Sequence, residues 1–304
     1  MSQPIAFLFP GQGSQFVGMG QDLYEREAIA RQRFRDANEI LGYDLAAICF
    51  NGPAETLQLT ANAQPAILVH SIIAYDLLRQ RGMVPVAVAG HSLGEYTALV
   101  AAGCLPFADA VRLVHHRGQY MQEAVPVGVG AMAAILGLDQ VQIELACVEL
   151  IDDGVVQPAN YNCPGQVVIS GHATAVRKAM ARCLEKGAVK VVELPVSAPF
   201  HSALMEPAAE RLAPELHQVS YGDLQLPVIS NVEARPIASK ARVPRLLVEQ
   251  VTAPVRWQES MQTLVKMGVE AVVEVGPGKV LSALMRRIDR KVKVLDLNEL
   301  LTAK

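Results

Sequence analysis

One stretch of the sequence constrains the fold more than any other: VAVAGHSLGEYTALVAAG, residues 86–103. An apolar run ends there at Gly90 and is followed at once by apolar positions at helical spacing, which predicts a buried strand, a sharp turn and a helix. Ser92 lies between Gly90 and Gly94 in the G-x-S-x-G pattern of a nucleophile elbow. Side chains at the two glycines would collide across such a turn. The pattern therefore predicts that Ser92 presents a reactive hydroxyl, and the alternative is a serine that only caps the helix.

The segments around this turn indicate the fold class. IAFLFPGQG, at residues 5–13, is a continuous apolar run that ends in Pro and Gly, which is typical of a central buried strand. Helical patterns follow at 64–81, 93–102 and 107–124. Strands alternating with helices predict an α/β protein, whose large domain has a mainly parallel sheet flanked by helices, a hydrolase-like core.

The middle of the chain predicts a second, smaller unit. Its pattern is β-α-β-β-α-β, the ferredoxin-like order, with strands at 129–137, 155–161, 166–171 and 188–194 and helices at 139–150 and 173–186. We expect an inserted ferredoxin-like subdomain at 127–197 within a large α/β domain made of 1–126 and 198–304. After the insertion, the pattern predicts the strand LPVISN, one helix at 243–266, the strand VEAVVEVG and a helix at 279–288. A ligand is expected in the cleft between the two units.

Composition narrows the partners and the compartment. A net charge of −3 provides no overall field for nucleic acid or an anionic membrane. Five cysteines with no C-x-x-C pair argue against disulfides and a structural zinc site, so we expect a cytoplasmic protein. No basic leader precedes the first strand, and no apolar segment reaches the roughly 20 residues needed to span a bilayer. We expect a monomer without a metal or other cofactor.

A serine hydroxyl is un-ionised near neutral pH and needs a base, so the seven histidines are the next candidates. His201 lies in LPVSAPFHSALM, where two prolines stiffen a loop after a strand, which suits a rigidly held side chain. The other six are more typical of structural or exposed positions: His70, His91, His115, His116, His172 and His217. His201 is therefore the preferred base, although sequence position cannot establish its distance from Ser92.

Two further features suit acyl chemistry. The helix that begins after Ser92 directs free N–H groups at its hydroxyl, so the Leu93 amide is a natural donor to an oxyanion. The glycines of the GQG loop could let the backbone N–H of Gln12 approach the same centre. Arg117 could bind a substrate carboxylate through its guanidinium, and the alternative is an ordinary surface arginine on a helix.

Seven motifs, in order along nearly the whole chain, closely resemble one family: FPGQGSQ (9–15), GHSLGEY (90–96), GAMAAILGL (130–138), ANYNCPGQVVISG (159–171), PFHS (199–202), QVTAPVRW (250–257) and EVGPGKVL (274–281). This is the family of malonyl-CoA:acyl carrier protein transacylases of bacterial type II fatty acid synthesis. The resemblance implies ping-pong transfer of a malonyl group from malonyl-CoA to the phosphopantetheine thiol of an acyl carrier protein.

The resemblance also implies roles for residues. Ser92 would attack the malonyl thioester, and His201 would act as base and then as acid. The main-chain amides of Gln12 and Leu93 would form the oxyanion hole, and the main-chain carbonyl of Gln250 would orient the histidine. Substrate-binding positions would be Arg117, on the malonyl carboxylate, together with Met121, Met132, Phe200, Asn160, Asn162 and Gln166.

For the carrier, RRIDRK at 286–291 is the best local basic patch, with Arg286, Arg287 and Lys291 as docking residues for an acidic protein. The alternative is a solvated helix end. The discrete transacylases often carry a small residue at the position of Phe200 in PFHS. With its phenylalanine, this motif more closely resembles that of the malonyl-selecting acyltransferase domains of polyketide synthases. An acyltransferase of a polyketide or malonate decarboxylase system therefore stays open as the pathway.

Two other classes of function remain as alternatives. A serine hydrolase of the α/β-hydrolase or patatin-like kind shares the elbow but needs an acidic partner, for which Asp153-Gly154 is the one tempting match. A non-catalytic module that binds acyl thioesters or a carrier would share the fold without the chemistry.

Overall fold

The computed structural model describes residues 3–196 and 198–302. Its strands are β1 (Ile5–Phe9), β2 (Ala87–Gly90), β3 (Gly130–Leu136), β4 (Val156–Cys163), β5 (Gln166–His172), β6 (Lys190–Glu193), β7 (Val228–Ile229), β8 (Ala271–Glu274) and β9 (Lys293–Leu295). Its α-helices are α1 (Gln21–Arg26), α2 (Ala28–Leu41), α3 (Leu45–Asn51), α4 (Ala54–Gln58), α5 (Thr60–Gln80), α6 (Leu93–Ala101), α7 (Phe107–Glu123), α8 (Gln140–Val148), α9 (Ala173–Glu185), α10 (Glu206–Gln218), α11 (Val243–Thr252), α12 (Trp257–Lys266), α13 (Val280–Ile288) and α14 (Leu297–Thr302). Short 3-10 helices lie at Ile151–Asp153, Ala203–Met205 and Lys240–Arg242.

Five strands form a parallel sheet in the order β7-β2-β1-β8-β9, so β1 is central as the sequence predicts. Successive β1 residues point to opposite faces. Phe7 and Phe9 join the core shared with α5, α6 and α7, whereas Ala6 and Leu8 join the core that contains Trp257 of α12. Because helices cover both faces, the strand has no polar side to display, which is why its sequence is apolar throughout.

The middle of the chain forms a separate antiparallel sheet in the order β4-β5-β3-β6. Helices α8 and α9 pack against it and enclose a core of their own. The observed order β3-α8-β4-β5-α9-β6 confirms the ferredoxin-like prediction. The domain boundaries stay a prediction, and their limits at residues 1, 197 and 304 lie outside the described residues.

The two sheets are connected through the segment between α11 and α12, where one sequence prediction is wrong. A single helix was expected at 243–266, but α11 ends at Thr252 and α12 begins at Trp257. The residue before Pro254 takes an extended conformation because the proline ring disfavours helical geometry there. The freed backbone pairs with β4 instead: Val255 N–H donates to the carbonyl of Ala159 over 2.8 Å, and Tyr161 N–H donates to the carbonyl of Val255 over 2.9 Å.

Helices α1 to α4, α10 and α14 and strand β9 were not predicted individually. The first four cover the core beside α5, and β9 adds a parallel edge strand next to β8. The five cysteines are free and buried. Among the described helices, none is both long and apolar enough to cross a membrane.

We predict that Gly94→Ala destabilises the fold, although the same change at an open helical position stabilises by about 1 kcal/mol. A Cβ added at Gly94 would lie 2.1 Å from the carbonyl oxygen of Phe9, so α6 would have to move away from β1. The free energy of unfolding, measured with urea, should fall by about 1–3 kcal/mol, the usual cost of overpacking. A stabilised variant would contradict this close approach.

Candidate active site

The turn between β2 and α6 holds Ser92 in a strained conformation. Its backbone has φ 52° and ψ −108°, a region that residues with a Cβ rarely adopt. A Cβ added at Gly90 would lie 1.8 Å from the carbonyl oxygen of Gly94, so this glycine is required across the turn, as predicted. Gly94 is required for a different reason, its contact with β1. Ser92 occupies the N-cap position of α6, but its side chain makes no capping hydrogen bond, which contradicts the helix-cap alternative.

His201 reaches Ser92 from a loop 109 residues further along the chain. Its Nε2 lies 2.8 Å from Ser92 Oγ, and its Nδ1 lies 2.8 Å from the main-chain oxygen of Gln250. A carbonyl can only accept, so Nδ1 carries the proton and Nε2 is free to accept from the serine hydroxyl. The imidazole is thus held in the tautomer that a general base needs.

Arg117 is not a surface arginine: its side chain is almost fully buried beside Ser92. Its Nη2 donates to Ser92 Oγ over 3.1 Å and to Gln250 Oε1 over 3.0 Å, and its Nη1 donates to Gln64 Oε1 over 2.8 Å. The ring of Tyr96 lies 5.5 Å from the guanidinium carbon, within cation–π range. In the described part of the chain, all of its hydrogen-bond acceptors are uncharged. A buried cation held only by neutral acceptors favours an anionic ligand.

The two predicted amide donors lie at this turn. Leu93 is the first residue of α6 and is buried. The loop that carries Gln12 approaches the same turn, because a Cβ at Gly11 would lie 2.6 Å from the carbonyl oxygen of His91. The Gln12 side chain donates to Thr60 Oγ1 over 3.2 Å, and this bond does not involve the main-chain N–H of Gln12. Neither the Gln12 nor the Leu93 amide has an acceptor within the ranges that the structure describes.

Sequence reasoning missed four buried polar side chains around the turn: Gln64, Glu95, Asn231 and the amide of Gln250. Asn231 is an example, since its Oδ1 accepts from Ser92 N–H over 2.7 Å and its Nδ2 donates to the carbonyl of Gly90 over 2.7 Å. The sequence could have indicated a role for Asn231, because this residue closely follows β7. Strand β7 pairs with β2, which leads into the Ser92 turn. Glu95 also stood out as a charged residue within an otherwise apolar helix.

Four predicted substrate-binding side chains are buried. Met121, Met132 and Phe200 are buried in the main core. Asn162 is also buried, and its Oδ1 lies 3.0 Å from Nε2 of His91. His91 therefore has a structural partner, as expected, and its ring packs against Trp257 with centroids 5.4 Å apart.

The remaining predicted residues lie along β4, β5 and α13 and in the turn after α13. Asn160 is buried at a β-bulge of β4 next to Val255. Gln166 Oε1 accepts from Arg287 Nη1 over 2.7 Å, and Arg287 also donates to the carbonyl of Pro164. The other two predicted docking residues, Arg286 and Lys291, are exposed.

Burial sets the protonation states. The pKa of His201 is lowered to about 3, first by desolvation and then by the positive charge of Arg117. Desolvation also lowers the pKa of Arg117 and of His91. Conversely, burial raises the pKa of Glu95 to about 7, although hydrogen bonds from Gln250 and Asn231 and the charge of Arg117 oppose the shift.

No carboxylate of the described residues bonds to His201 as the acidic partner of a hydrolase would. Asp153, the candidate for that role, is exposed and forms an ion pair with Lys178. The position that such a carboxylate would occupy, on Nδ1 of His201, is filled by the carbonyl of Gln250. Among the described residues, no group of three or more His, Cys, Asp or Glu side chains could hold a metal ion.

An imidazole on a serine hydroxyl suits a covalent acyl intermediate, and a buried cation beside it suits an acyl group that carries a negative charge. On this parallel sheet, the class of protein defined in this way is the acyltransferases. The chain belongs to the acyl transferase domain family, whose model matches residues 6–299, and within it to the malonyl CoA-acyl carrier protein transacylases.

The similarity extends over almost the whole chain. A malonyl CoA-acyl carrier protein transacylase from Bacillus subtilis is 49% identical over 296 residues, covering 97% of this chain and 93% of the relative. The protein of the same name from Escherichia coli K12 is 49% identical and covers 97% and 96%. A solved structure of a malonyl-transacylase in complex with its type II polyketide synthase acyl-carrier protein has a TM-score of 0.96 at 42% identity, covering 99% and 100%. The transacylase from Coxiella burnetii has a TM-score of 0.96 at 43% identity, covering 98% and 96%.

We predict that His201 makes stability fall as the pH falls from about 6.5 towards 4. Its folded pKa lies below its unfolded value, so in this range the unfolded chain binds a proton that the native state excludes. In His201→Asn, the slope of unfolding free energy against pH should be smaller by about 1.4 kcal/mol per pH unit. The control is His217→Asn at an exposed position. Equal slopes in wild type and His201→Asn would contradict the shift.

Proposed function

We propose that this chain transfers the malonyl group of malonyl-CoA to the phosphopantetheine thiol of an acyl carrier protein, through a malonyl ester of Ser92. One observation carries the proposal: Ser92 Oγ lies within hydrogen-bond distance of His201 Nε2 and of Arg117 Nη2. The first contact supplies a base for attack, and the second supplies a cation for the acid group of the acyl donor. The names of the close relatives support the same donor and acceptor.

The first half-reaction follows from the geometry. His201 Nε2 takes the hydroxyl proton as Ser92 Oγ bonds to the thioester carbonyl carbon. The amides of Gln12 and Leu93 donate to the oxygen that becomes negative. The C–S bond then breaks, the sulfur of CoA takes the proton from His201, and malonyl-Ser92 remains. In the second half-reaction His201 deprotonates the carrier thiol, which attacks the ester and returns the hydroxyl to Ser92.

Arg117 would select the donor. Its guanidinium is buried and, in the part of the chain that the structure describes, has only neutral hydrogen-bond acceptors, so a malonyl carboxylate would gain an ion pair that an acetyl group cannot form. The carboxylate would also offset the positive charge that helps to lower the pKa of His201. Binding of the correct acyl group should therefore raise the basicity of the imidazole at the moment when it must accept a proton.

We propose that the phosphopantetheine arm enters beside Asn160, Asn162 and Gln166, with Met121, Met132 and Phe200 lining the acyl end. The basic end of α13 would dock the acidic carrier, because Arg287 bonds to Gln166 while the neighbouring Arg286 is exposed.

This chemistry needs no metal or other cofactor. The five free thiols favour a reducing cytoplasm, and we divide the chain into a large domain, 1–126 with 198–304, and an inserted subdomain, 127–197.

A second pathway has a specific observation in its favour. One structural neighbour with a TM-score of 0.96 is a malonyl-transacylase bound to a type II polyketide synthase carrier. The chemistry would be the same and the carrier would differ. Rates of malonyl transfer to purified fatty acid and polyketide carriers would distinguish the two pathways.

We expect wild type mixed with malonyl-CoA to gain the mass of one malonyl group, located at Ser92 by peptide mapping. The ester should persist until a carrier thiol is added, because this site transfers to thiols rather than to water. Ser92→Ala should gain no mass, since the attacking hydroxyl is absent. Rapid loss of the ester to water without carrier would instead indicate a hydrolase, and malonylation of the Ala variant would refute the mechanism.

Replacement of Arg117 by methionine should reduce malonyl transfer and the preference for malonyl over acetyl. An apolar side chain of similar length keeps the packing but removes the cation, and we expect kcat/KM for malonyl-CoA to fall about 100-fold or more, the effect of losing a buried charge partner. Arg112→Met, on the exposed face of the same helix, is the matched control. Unchanged rates with both thioesters would exclude Arg117 from recognition.

A further inference from the structure

Asn231 and Gln250 hold the Ser92 turn through their side-chain amides, and both residues also bond to one carboxyl group, Asn231 through its main-chain N–H and Gln250 through its side chain. The Asn231 side chain bonds the backbone on both sides of the turn, at Ser92 N–H and the Gly90 carbonyl. The Gln250 amide donates from Nε2 to the Ser92 carbonyl over 3.0 Å. Glu95 Oε2 accepts from Gln250 Nε2 over 2.6 Å and from the Asn231 main-chain N–H over 3.2 Å. Glu95 is itself completely buried, on the first turn of α6.

The Gln250 side chain links this carboxyl group to the arginine. Its Oε1 accepts from Arg117 Nη2 over 3.0 Å, while its Nε2 faces two acceptors, Glu95 Oε2 and the Ser92 carbonyl. A flipped amide would point its oxygen at these two acceptors and its NH2 group at the guanidinium, so every bond would be lost. Glu95 Oε2, the nearer of the two acceptors, therefore acts together with the Ser92 carbonyl to select the orientation in which Gln250 can hold Arg117.

The buried carboxyl group of Glu95 requires an explanation, because burial of an ionisable group away from water costs free energy. Glu95 forms no ion pair within 4 Å in the described part of the chain, and its Oε1 has no hydrogen-bond partner there. Burial raises its pKa, and the charge of Arg117 acts against that shift. The contacts it does make lead to the serine turn and, through Gln250, to the guanidinium.

We propose that Glu95 is a positioning residue for donor selection: its oxygen orients the Gln250 amide, which holds Arg117 Nη2 where it can meet the carboxylate of the acyl group. The inference rests on the proposed function, since it concerns the malonyl group at Ser92. It adds a determinant of specificity that touches no substrate. The same glutamine fixes His201 through its main chain, so the acid-recognising group and the base share one anchor.

The test is the ratio of kcat/KM for malonyl-CoA to that for acetyl-CoA in acylation of Ser92. Glu95→Met keeps the length of the side chain and removes the acceptor, so the ratio should fall about 10-fold or more, the effect of one lost hydrogen bond to a buried charge. An acetyl group has no carboxylate for the guanidinium to bind, so acetyl transfer is the internal reference: a variant that merely contains less folded protein would lose both rates equally and keep its ratio.

Glu95→Gln should restore the ratio to within about threefold of wild type. Its amide oxygen can keep both bonds of Oε2, while its NH2 group takes the place of Oε1, which has no partner among the described residues. The matched control is Thr97→Val, an isosteric change at a fully buried residue of the same helix that is outside these contacts. Its ratio should equal that of wild type.

Each result decides the proposal. An unchanged ratio in Glu95→Met would overturn it, and so would a loss in Glu95→Gln as large as that in Glu95→Met, because charge rather than the hydrogen bond would then be responsible. If Glu95→Met does not fold, Gln250→Met removes the amide and keeps the main-chain carbonyl: a lower ratio supports the link and an unchanged ratio refutes it. Failure of wild type to form malonyl-Ser92 would refute the proposed function instead.

Discussion

The tight turn between β2 and α6 is the constraint on which the rest of the site depends. Ser92 has a positive φ, and glycines on either side let the turn pass within contact distance of β1 and of itself. A backbone of this kind persists only where surrounding structure holds it. Here Asn231 bonds the turn from the segment after β7, and Gln250 bonds it from α11. The strained turn is thus held by two segments that are distant from it in sequence.

Burial strengthens the electrostatic interactions of the few charges near this turn. The Arg117 cation lies against the serine hydroxyl with neutral acceptors, and its charge works with burial to keep His201 neutral. A carboxylate delivered by an acyl donor would relieve both effects. Recognition of the donor and activation of the proposed nucleophile are therefore coupled through the same buried guanidinium, where burial strengthens the electrostatic interaction.

The connection between the two sheets explains how distant segments meet at one point. The chain leaves α11 after supplying Gln250, extends at Pro254 and pairs through Val255 with β4 before α12 begins. This pairing brings Asn160 and Asn162 of the antiparallel sheet close to the parallel sheet, where His91 contacts Asn162. The break in the predicted helix 243–266 is thus the place where the two sheets are linked.

The sequence by itself determined the elements whose signal is local. Apolar runs predicted β1 and β2, the pattern G-x-S-x-G predicted the strained turn, and the order of strands and helices predicted the ferredoxin-like unit. These signals suffice because strand, turn and helix depend on neighbouring residues. Motif resemblance then indicated His201, Arg117 and Gln250 by position.

Tertiary structure alone decided which side chains touch. No local pattern shows that the Gln250 amide joins Glu95 to Arg117, or that Asn231 bonds the Ser92 turn from 139 residues away. Tertiary structure also decided which side chains are buried: Arg117 has the sequence pattern of a surface helix but lies in the core. The physical reason is that hydrogen bonds and desolvation depend on distances between segments far apart along the chain, which are set only when the two sheets and their helices pack together.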